Sequence, residues 1–454
     1  MDMEHKRGKF SGKIGFVFAA AGSAVGLGNI WRFPYLAAKY GGGIFLLVYL
    51  ILVVTFGFAL MVAEVAIGRK TQLSAVGAFG KLHGKFHFLG YLASVVPMII
   101  FPYYCVIGAW VVKYLSVYVT GQGAAAAQEG FFEAFIGRPA EPLLFLAVYV
   151  GVTALIVFLG VQNGVEKASK IMMPVLAVLS VGVAIYSITR PGALEGVKYY
   201  LIPDFSRFSP MTVLAAMGQL FYSMSLAMGI MVTYGSYMKR EDDLEKSVKQ
   251  IELFDTGMAL VAGLMIVPAV FAFSGGDETA LNKGAGLMFV TLPKVFADAG
   301  TLGLIFGGVF FLLVMFAALT SSVSLMETVV SIFQDKFHWK RKTTCGLVMA
   351  ACFLLALPSS LGYGLLDWVK PLGFSLLDFF DFISNSMLMP VVAFLTCIFV
   401  GYVLKPKTIA EEVKLSSPFK REKLFTVVIK YLAPVCIVLI LATSVLDALG
   451  IVKI

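Results

Sequence analysis

Charge is what this chain has least of: only 14% of its 454 residues are Asp, Glu, Lys or Arg, where a soluble domain carries about 25%. Histidine is nearly missing. The four present, His5, His83, His87 and His338, all lie in polar loops or at their edges. No nucleophile–base pair and no metal-ligand cluster falls within an apolar stretch, which argues against an enzyme. The five cysteines (Cys105, Cys345, Cys352, Cys397 and Cys436) sit in or at the start of apolar stretches, at no metal-ligand spacing. They read as small buried hydrophobes, not as a disulfide framework or zinc site. A cleavable signal peptide is not expected either, because the first apolar segment is too long and has no small-residue cleavage site.

Apolar bulk is what the chain has in excess. It is 59% hydrophobic and holds 39 phenylalanines. Eleven stretches reach the roughly 18 residues needed to cross a bilayer, starting near Ile14, Ile44, Phe88, Leu143, Ala168, Thr212, Leu253, Leu302, Cys345, Phe374 and Leu424. The net charge of +9 follows this topology. With the N-terminus cytoplasmic, the inner loops hold 24 of the 36 lysines and arginines and the outer loops and C-terminal tail hold eight; four lie within or beside spans. That bias fixes the orientation by the positive-inside rule and puts the C-terminus outside. The basic balance is therefore topological, and nucleic acid is not an expected partner.

Two spans are interrupted where a helix should be continuous. Gly22 to Pro34 reads GSAVGLGNIWRFP, with Gly22, Gly26 and Gly28 beside Ser23 and Asn29. Glycine weakens a helix by about 1 kcal/mol relative to alanine, and irregular backbone at membrane depth survives only in protein or beside a cavity. A break near Val25 to Gly28 is expected, its free carbonyls suiting a cation and its free amides a carboxylate. The alternative is that the small residues only let helices pack closely. A second interruption, Gln219 to Gly229, comes about 200 residues, or five spans, later. Paired interruptions in two five-span halves point to an inverted repeat with a site at midplane.

Other polar groups inside spans are candidates by default. Glu64 is either a functional acid or a brace for loose amides of the broken helix. Asp255 needs a cation, a partner or a proton. Tyr103 and Tyr104 need hydroxyl partners if they face inward. Gly164 and Pro174 mark either a kink or an end of span five that can unwind. The short apolar piece Gly286–Pro293, within Asp277 to Gly300, suits a re-entrant cap. Thr320 and Ser321 bond back to their own helix unless the first break brings carbonyls of Gly22 and Val25 to them, giving an all-oxygen site for a monovalent cation. Arg32 with Asp381, and Arg7 with Asp335, are candidate outer and inner gate pairs.

The run GSAVGLGNIWRFPYLAAKYGGGIF, with GQLFYSMSLAMG and FAALTSSVSLMET, resembles the neurotransmitter:sodium symporter family over nearly the whole chain. The eleven spans, short loops and missing extracellular disulfide are similar to its bacterial branch. The resemblance implies an all-α polytopic membrane protein of the LeuT-type fold: repeats at about 10–190 and 210–404, broken first and sixth helices, and an extra C-terminal helix at about 424–449. It implies a first sodium site at the Ala24 carbonyl, Asn29, Ser223, Asp255 and the substrate carboxylate. A second would use carbonyls of Gly22, Val25 and Ala317 and hydroxyls of Thr320 and Ser321. The substrate carboxylate would meet the amides of Leu27 and Gly28 and the Tyr104 hydroxyl. Its ammonium would meet carbonyls of Ala24, Tyr222 and Ser223, and the Ser225 hydroxyl. Ile100, Tyr104, Tyr222, Met228, Ser321 and Leu325 would line the side-chain pocket. Tyr222 would cap it beneath Arg32 and Asp381, and Arg7, Phe10, Tyr237 and Asp335 would close the cytoplasmic side.

Two departures stand out. Animal members bind chloride near Tyr49, Gln219, Ser223 and an Asn and a Ser of span seven; here the last two positions are Asp255 and Ala259. A fixed carboxylate in place of the anion implies chloride-independent transport. Ala227 stands where many relatives have glycine, which should stiffen the break and trim the pocket. The expected function is a sodium-coupled symporter, with two sodium ions and no organic cofactor, importing a hydrophobic L-amino acid across a bacterial cytoplasmic membrane. The alternatives are a relative preferring small neutral amino acids, or an uncoupled sensor or channel.

Overall fold

The computed structural model describes residues 8–276 and 285–448, and among these it is helical with no strand. Nine helices among the described residues are long and apolar enough to cross a bilayer: Gly43–Thr71, Gly84–Val119, Ala140–Phe158, Val161–Ile188, Leu244–Ser274, Gly300–Phe337, Arg341–Leu361, Leu376–Val403 and Glu422–Leu446. A tenth crossing is the bent pair Lys13–Ala24 and Gly28–Lys39, whose halves meet at 53°. The eleventh is Pro210–Ser223 followed by Ile230–Tyr237, each half too short to cross alone. These are spans one to eleven in chain order, with spans one and six broken as expected from their small and polar residues.

Packing puts both breaks in the interior. Span eight runs along span three, span five along span seven, and the second half of span six lies on span two. That last contact is backbone on backbone. An added Cβ on Gly68 would lie 1.9 Å from the Val232 carbonyl oxygen, and one on Gly235 would lie 2.3 Å from that of Val65. Small residues are what allow such an approach in a membrane. The opposite surfaces of spans four, five and nine show Leu144, Leu155, Val178, Ile185 and Leu354 to the surroundings, as a lipid-facing wall requires.

Two smaller elements close the bundle. The expected re-entrant piece forms a π-helical turn, Leu287–Thr291, and a short helix, Leu292–Asp298. Leu287, Met288 and Phe289 are fully buried, and the Tyr114 hydroxyl donates to the Phe289 carbonyl at 2.7 Å. Trp31 and Trp110 pack edge-on against the Phe289 ring. At the other end, helix Pro406–Lys414 is anchored by Arg69, whose side chain has no solvent exposure. Its Nε meets Glu412 Oε1 at 2.9 Å, Nη1 donates to the Asp242 carbonyl at 2.9 Å, and Nη2 donates to the Glu412 carbonyl. One guanidinium thus ties span two to the loop before span seven and to the connection between spans ten and eleven.

Candidate substrate and sodium sites

The break in span one leaves Val25 extended, at φ −76° and ψ 92°. Apolar neighbours cannot satisfy the freed groups, so polar side chains do. The Leu27 amide donates to the Tyr104 hydroxyl at 3.3 Å, and the Gly26 amide to Asn29 Oδ1 at 3.2 Å. Gln219 Nε2 donates to the Gly28 carbonyl at 3.1 Å. The break in span six runs from Met224 to Gly229, with Ser225, Ala227 and Gly229 all left-handed at φ 52°, 59° and 70°. The Ser225 hydroxyl reaches back to the Ser23 carbonyl at 2.9 Å, and the Ala227 amide donates to Glu64 Oε1 at 2.7 Å. Glu64 therefore acts as a brace, and the helix it braces is span six.

A small cavity lies between the two breaks and spans three and eight. All eleven expected substrate residues line it: Ala24, Leu27, Gly28, Ile100, Tyr104, Tyr222, Ser223, Ser225, Met228, Ser321 and Leu325. Ser23, Gly26 and Ile230 also line it and were not expected from the sequence to touch substrate. Ser23 lies in the last turn of the first half of span one, Gly26 lies in the break itself, and Ile230 opens the second half of span six. Ala227 is not on the wall. It is buried and its methyl does not trim the pocket wall, contrary to the sequence-based expectation. Its left-handed backbone is the reason for glycine here: a left-handed alanine costs about 1–2 kcal/mol. Ala227→Gly should raise the thermal midpoint slightly, the relief exceeding the roughly 0.5–1 kcal/mol of added chain entropy, and leave the substrate range unchanged. A lowered midpoint or an altered competition series would contradict this.

Beside the cavity, Asn29, Ser223 and Asp255 form one fully buried cluster. Asn29 Nδ2 donates to Asp255 Oδ1 at 2.7 Å and lies 3.1 Å from the Ser223 hydroxyl, which is 2.7 and 2.8 Å from the two Asp255 oxygens. The Tyr49 hydroxyl completes it, 3.4 Å from Asp255 Oδ2 and 3.5 Å from Ser223. Gln219 is buried and its Oε1 has no partner among the described residues. On the far side of the break, span eight faces Gly22, where an added Cβ would lie 3.2 Å from Thr320 Cβ. Thr320 bonds back to the Phe316 and Ala317 carbonyls at 3.0 and 3.1 Å, whereas Ser321 reaches across to the Ser23 carbonyl at 3.2 Å. Span one therefore does bring a carbonyl to span eight, that of Ser23, where the expected ones were those of Gly22 and Val25.

The outer gate is arranged differently from expectation. Arg32 and Asp381 make no direct ion pair. The Arg32 guanidinium lies over the Tyr222 ring, 5.3 Å from its centroid. Asp381 instead accepts from Asn385 Nδ2 at 2.6 Å and the Tyr103 hydroxyl at 3.1 Å. Tyr222 itself roofs the break, its ring so close that a Cβ on Gly28 would fall 2.4 Å away. At the N-terminal end, Arg7 lies outside the described residues. Asp335 Oδ2 accepts the Ser74 amide at 2.6 Å. Phe10 packs against Tyr237, whose hydroxyl donates to Glu327 Oε1 at 2.7 Å. Arg341 pairs with both oxygens of that carboxylate.

A bundle with two interior helix breaks, a buried cavity between them and adjoining clusters of neutral and carboxylate oxygens has the build of a membrane transporter for a small solute and a cation. The chain belongs to the sodium:neurotransmitter symporter family, whose model matches residues 7–127 and 133–451. It is 35% identical to an uncharacterized sodium-dependent transporter, YhdH, of Bacillus subtilis, over 96% of this chain and 97% of that one. It is also 35% identical to an uncharacterized sodium-dependent transporter of Methanocaldococcus jannaschii, over 98% and 91%. The crystal structure of MhsT in complex with L-phenylalanine matches with a TM-score of 0.87 at 38% identity, over 96% of this chain and all of that one. The protein is thus a sodium-dependent symporter of the LeuT-type fold.

Proposed function

We propose that this symporter imports an L-amino acid with a large apolar side chain, together with two sodium ions and without chloride. The observation that carries the reading is the composition of the cavity between the breaks. The lining offers the Leu27 amide and the Tyr104 hydroxyl, which suit a carboxylate, together with the apolar Ile100, Met228, Ile230 and Leu325, and it carries no charged side chain. Methionine adapts to irregular shapes, which favours a range of aliphatic and aromatic side chains. The solved relative, bound to L-phenylalanine, supports the same class.

The ammonium would be held by the Ala24, Tyr222 and Ser223 carbonyls and the Ser225 hydroxyl. The first sodium ion would sit among the Ala24 carbonyl, Asn29, Ser223, Asp255 and the substrate carboxylate, with the Asn29 amide turned so that its oxygen faces the ion. Ion and substrate then share ligands, and each raises the affinity of the other by the same factor. The second would sit among Gly22, Val25, Ala317, Thr320 and Ser321, joining span one to span eight. Asp255 supplies the fixed negative charge that makes an anion unnecessary. Residues 10–190 and 210–404 would be the two repeats. The N-terminus would face the cytoplasm of a bacterial cell and the C-terminus the outside, so Arg32, Tyr222 and Phe289 close the outer end and Phe10 and Tyr237 the inner.

The test is equilibrium binding to purified protein. Radiolabelled L-leucine or L-phenylalanine should bind in sodium and not in potassium, irrespective of chloride. L-Tryptophan and L-methionine should compete at least about tenfold better than glycine or alanine, a difference of about 1.4 kcal/mol that two or more extra buried methylenes supply. Preference for glycine or alanine would overturn the substrate class.

A further inference from the structure

Residues 8–12, which lead into span one, are clamped from two sides. On one side the Phe10 amide donates to the Tyr237 carbonyl at 3.2 Å, and its ring packs edge-on against Phe16, Tyr234 and Tyr237. On the other side they meet the first turn of span five. Gln162 Nε2 donates to the Lys9 carbonyl at 2.8 Å. The Ser11 amide donates to Glu166 Oε2 at 2.8 Å, and the Ser11 hydroxyl donates to Oε1 of the same carboxylate. Lys170 Nζ, one turn further along span five, lies 2.5 Å from that Oε1. Glu166 is only 2% exposed, and span one passes so close that a Cβ on Gly15 would fall 2.3 Å from its carboxyl carbon.

This carboxylate does two jobs at once. Span one begins at Lys13 after Gly12, which supplies no side-chain cap. Glu166 brings negative charge and an acceptor to that helix start from another span, as a cap residue would from its own. It also ends the π-helical turn Val161–Glu166, two residues after Gly164 and eight before Pro174. π-turns and interior prolines mark segments where a helix ladder rearranges readily. Any unwinding of that turn moves Glu166 away from Ser11. Conversely, withdrawal of residues 8–12 strips Glu166 of two hydrogen bonds in a buried place, where an unsatisfied charge is costly.

We infer that Glu166 is a clasp that makes release of residues 8–12 and unwinding of the first turn of span five one event, opening the inner path. It is a positioning residue, remote from the cavity lining. The inference rests on the transport reading above, since concerted inner opening matters only to a protein that alternates access.

Amide hydrogen exchange on the full-length protein tests it, comparing Glu166→Gln with Ser11→Ala and Glu166→Asp. The clasp predicts that Glu166→Gln speeds exchange in 8–24 and 161–174 together, by about tenfold or more, with spans three and eight unchanged. Ser11→Ala, which keeps the backbone donor, should fall between, and Glu166→Asp should restore part of the protection. Sodium needed for half-maximal substrate binding should rise in the same order. If only one segment loosens, or neither does, the clasp is wrong. General loss of protection in Glu166→Gln hands the decision to Ser11→Ala, where coupled against uncoupled loosening still decides. Failure of the wild type to bind an amino acid in sodium would overturn the transport reading instead, and leaves the exchange comparison readable.

Discussion

Asp255→Ala should lower sodium-dependent substrate binding by at least about a hundredfold, the equivalent of about 2.8 kcal/mol. Asp255 is fully buried and accepts from Asn29, Ser223 and Tyr49. Removing it leaves these donors without their acceptor, each lost partner costing about 1–3 kcal/mol. It also removes the only carboxylate among the proposed ligands of the first sodium ion besides the substrate's own. Asp255→Asn helps to separate the two effects, because it keeps the shape and one acceptor oxygen and deletes the charge. Its uptake should be near background in gluconate and should partly recover when chloride is added, since the anion can then restore the local charge balance. Retention of sodium-dependent binding in Asp255→Ala would show that the ion is held elsewhere.

The largest loss of stability should come from Arg69→Ala. Breaking a buried pair by removing one partner costs about 3–5 kcal/mol, because it strands the other charge. Here Glu412 is 3% exposed and would keep only Lys70, whose Nζ is 4.0 Å away. The Asp242 and Glu412 carbonyls would lose their donor as well. Thermal melts in detergent should show a midpoint lowered by several degrees at least, with reduced yield of folded protein. Arg69→Met with Glu412→Leu should recover most of the loss, since a well-packed apolar pair is often as stable as a buried ion pair. An Arg69→Ala midpoint equal to wild type would mean the network is dispensable.

The two breaks were legible because each rests on a local conflict: glycine, serine and asparagine do not belong in the middle of an apolar helix; the eleven expected lining residues followed from the family resemblance. What the sequence could not supply is the rotation of one helix against another. Arg32 and Asp381 have the right charges and the right depth, yet the guanidinium turns onto the Tyr222 ring while the carboxylate turns to Tyr103 and Asn385. Asn385 carried no signal beyond being one polar residue in a span. Glu64 was readable as a brace, but which broken helix it served depended on how span two packs against span six. Ala227 showed its unusual place only as an alanine where relatives have glycine; its left-handed backbone explains that preference, and it is not among the residues lining the cavity. Glu166 was passed over because a glutamate among lysines at a span boundary reads as a solvated charge until Ser11 is found on it.

Coupled accumulation is the central property to measure. Purified protein in liposomes, with sodium outside and potassium inside, should concentrate L-leucine or L-phenylalanine above the external level. The gradient should collapse when sodium is equalised and be indifferent to replacement of chloride by gluconate. Uptake that only equilibrates the amino acid, or that proceeds equally in potassium, would contradict sodium-coupled symport through this site.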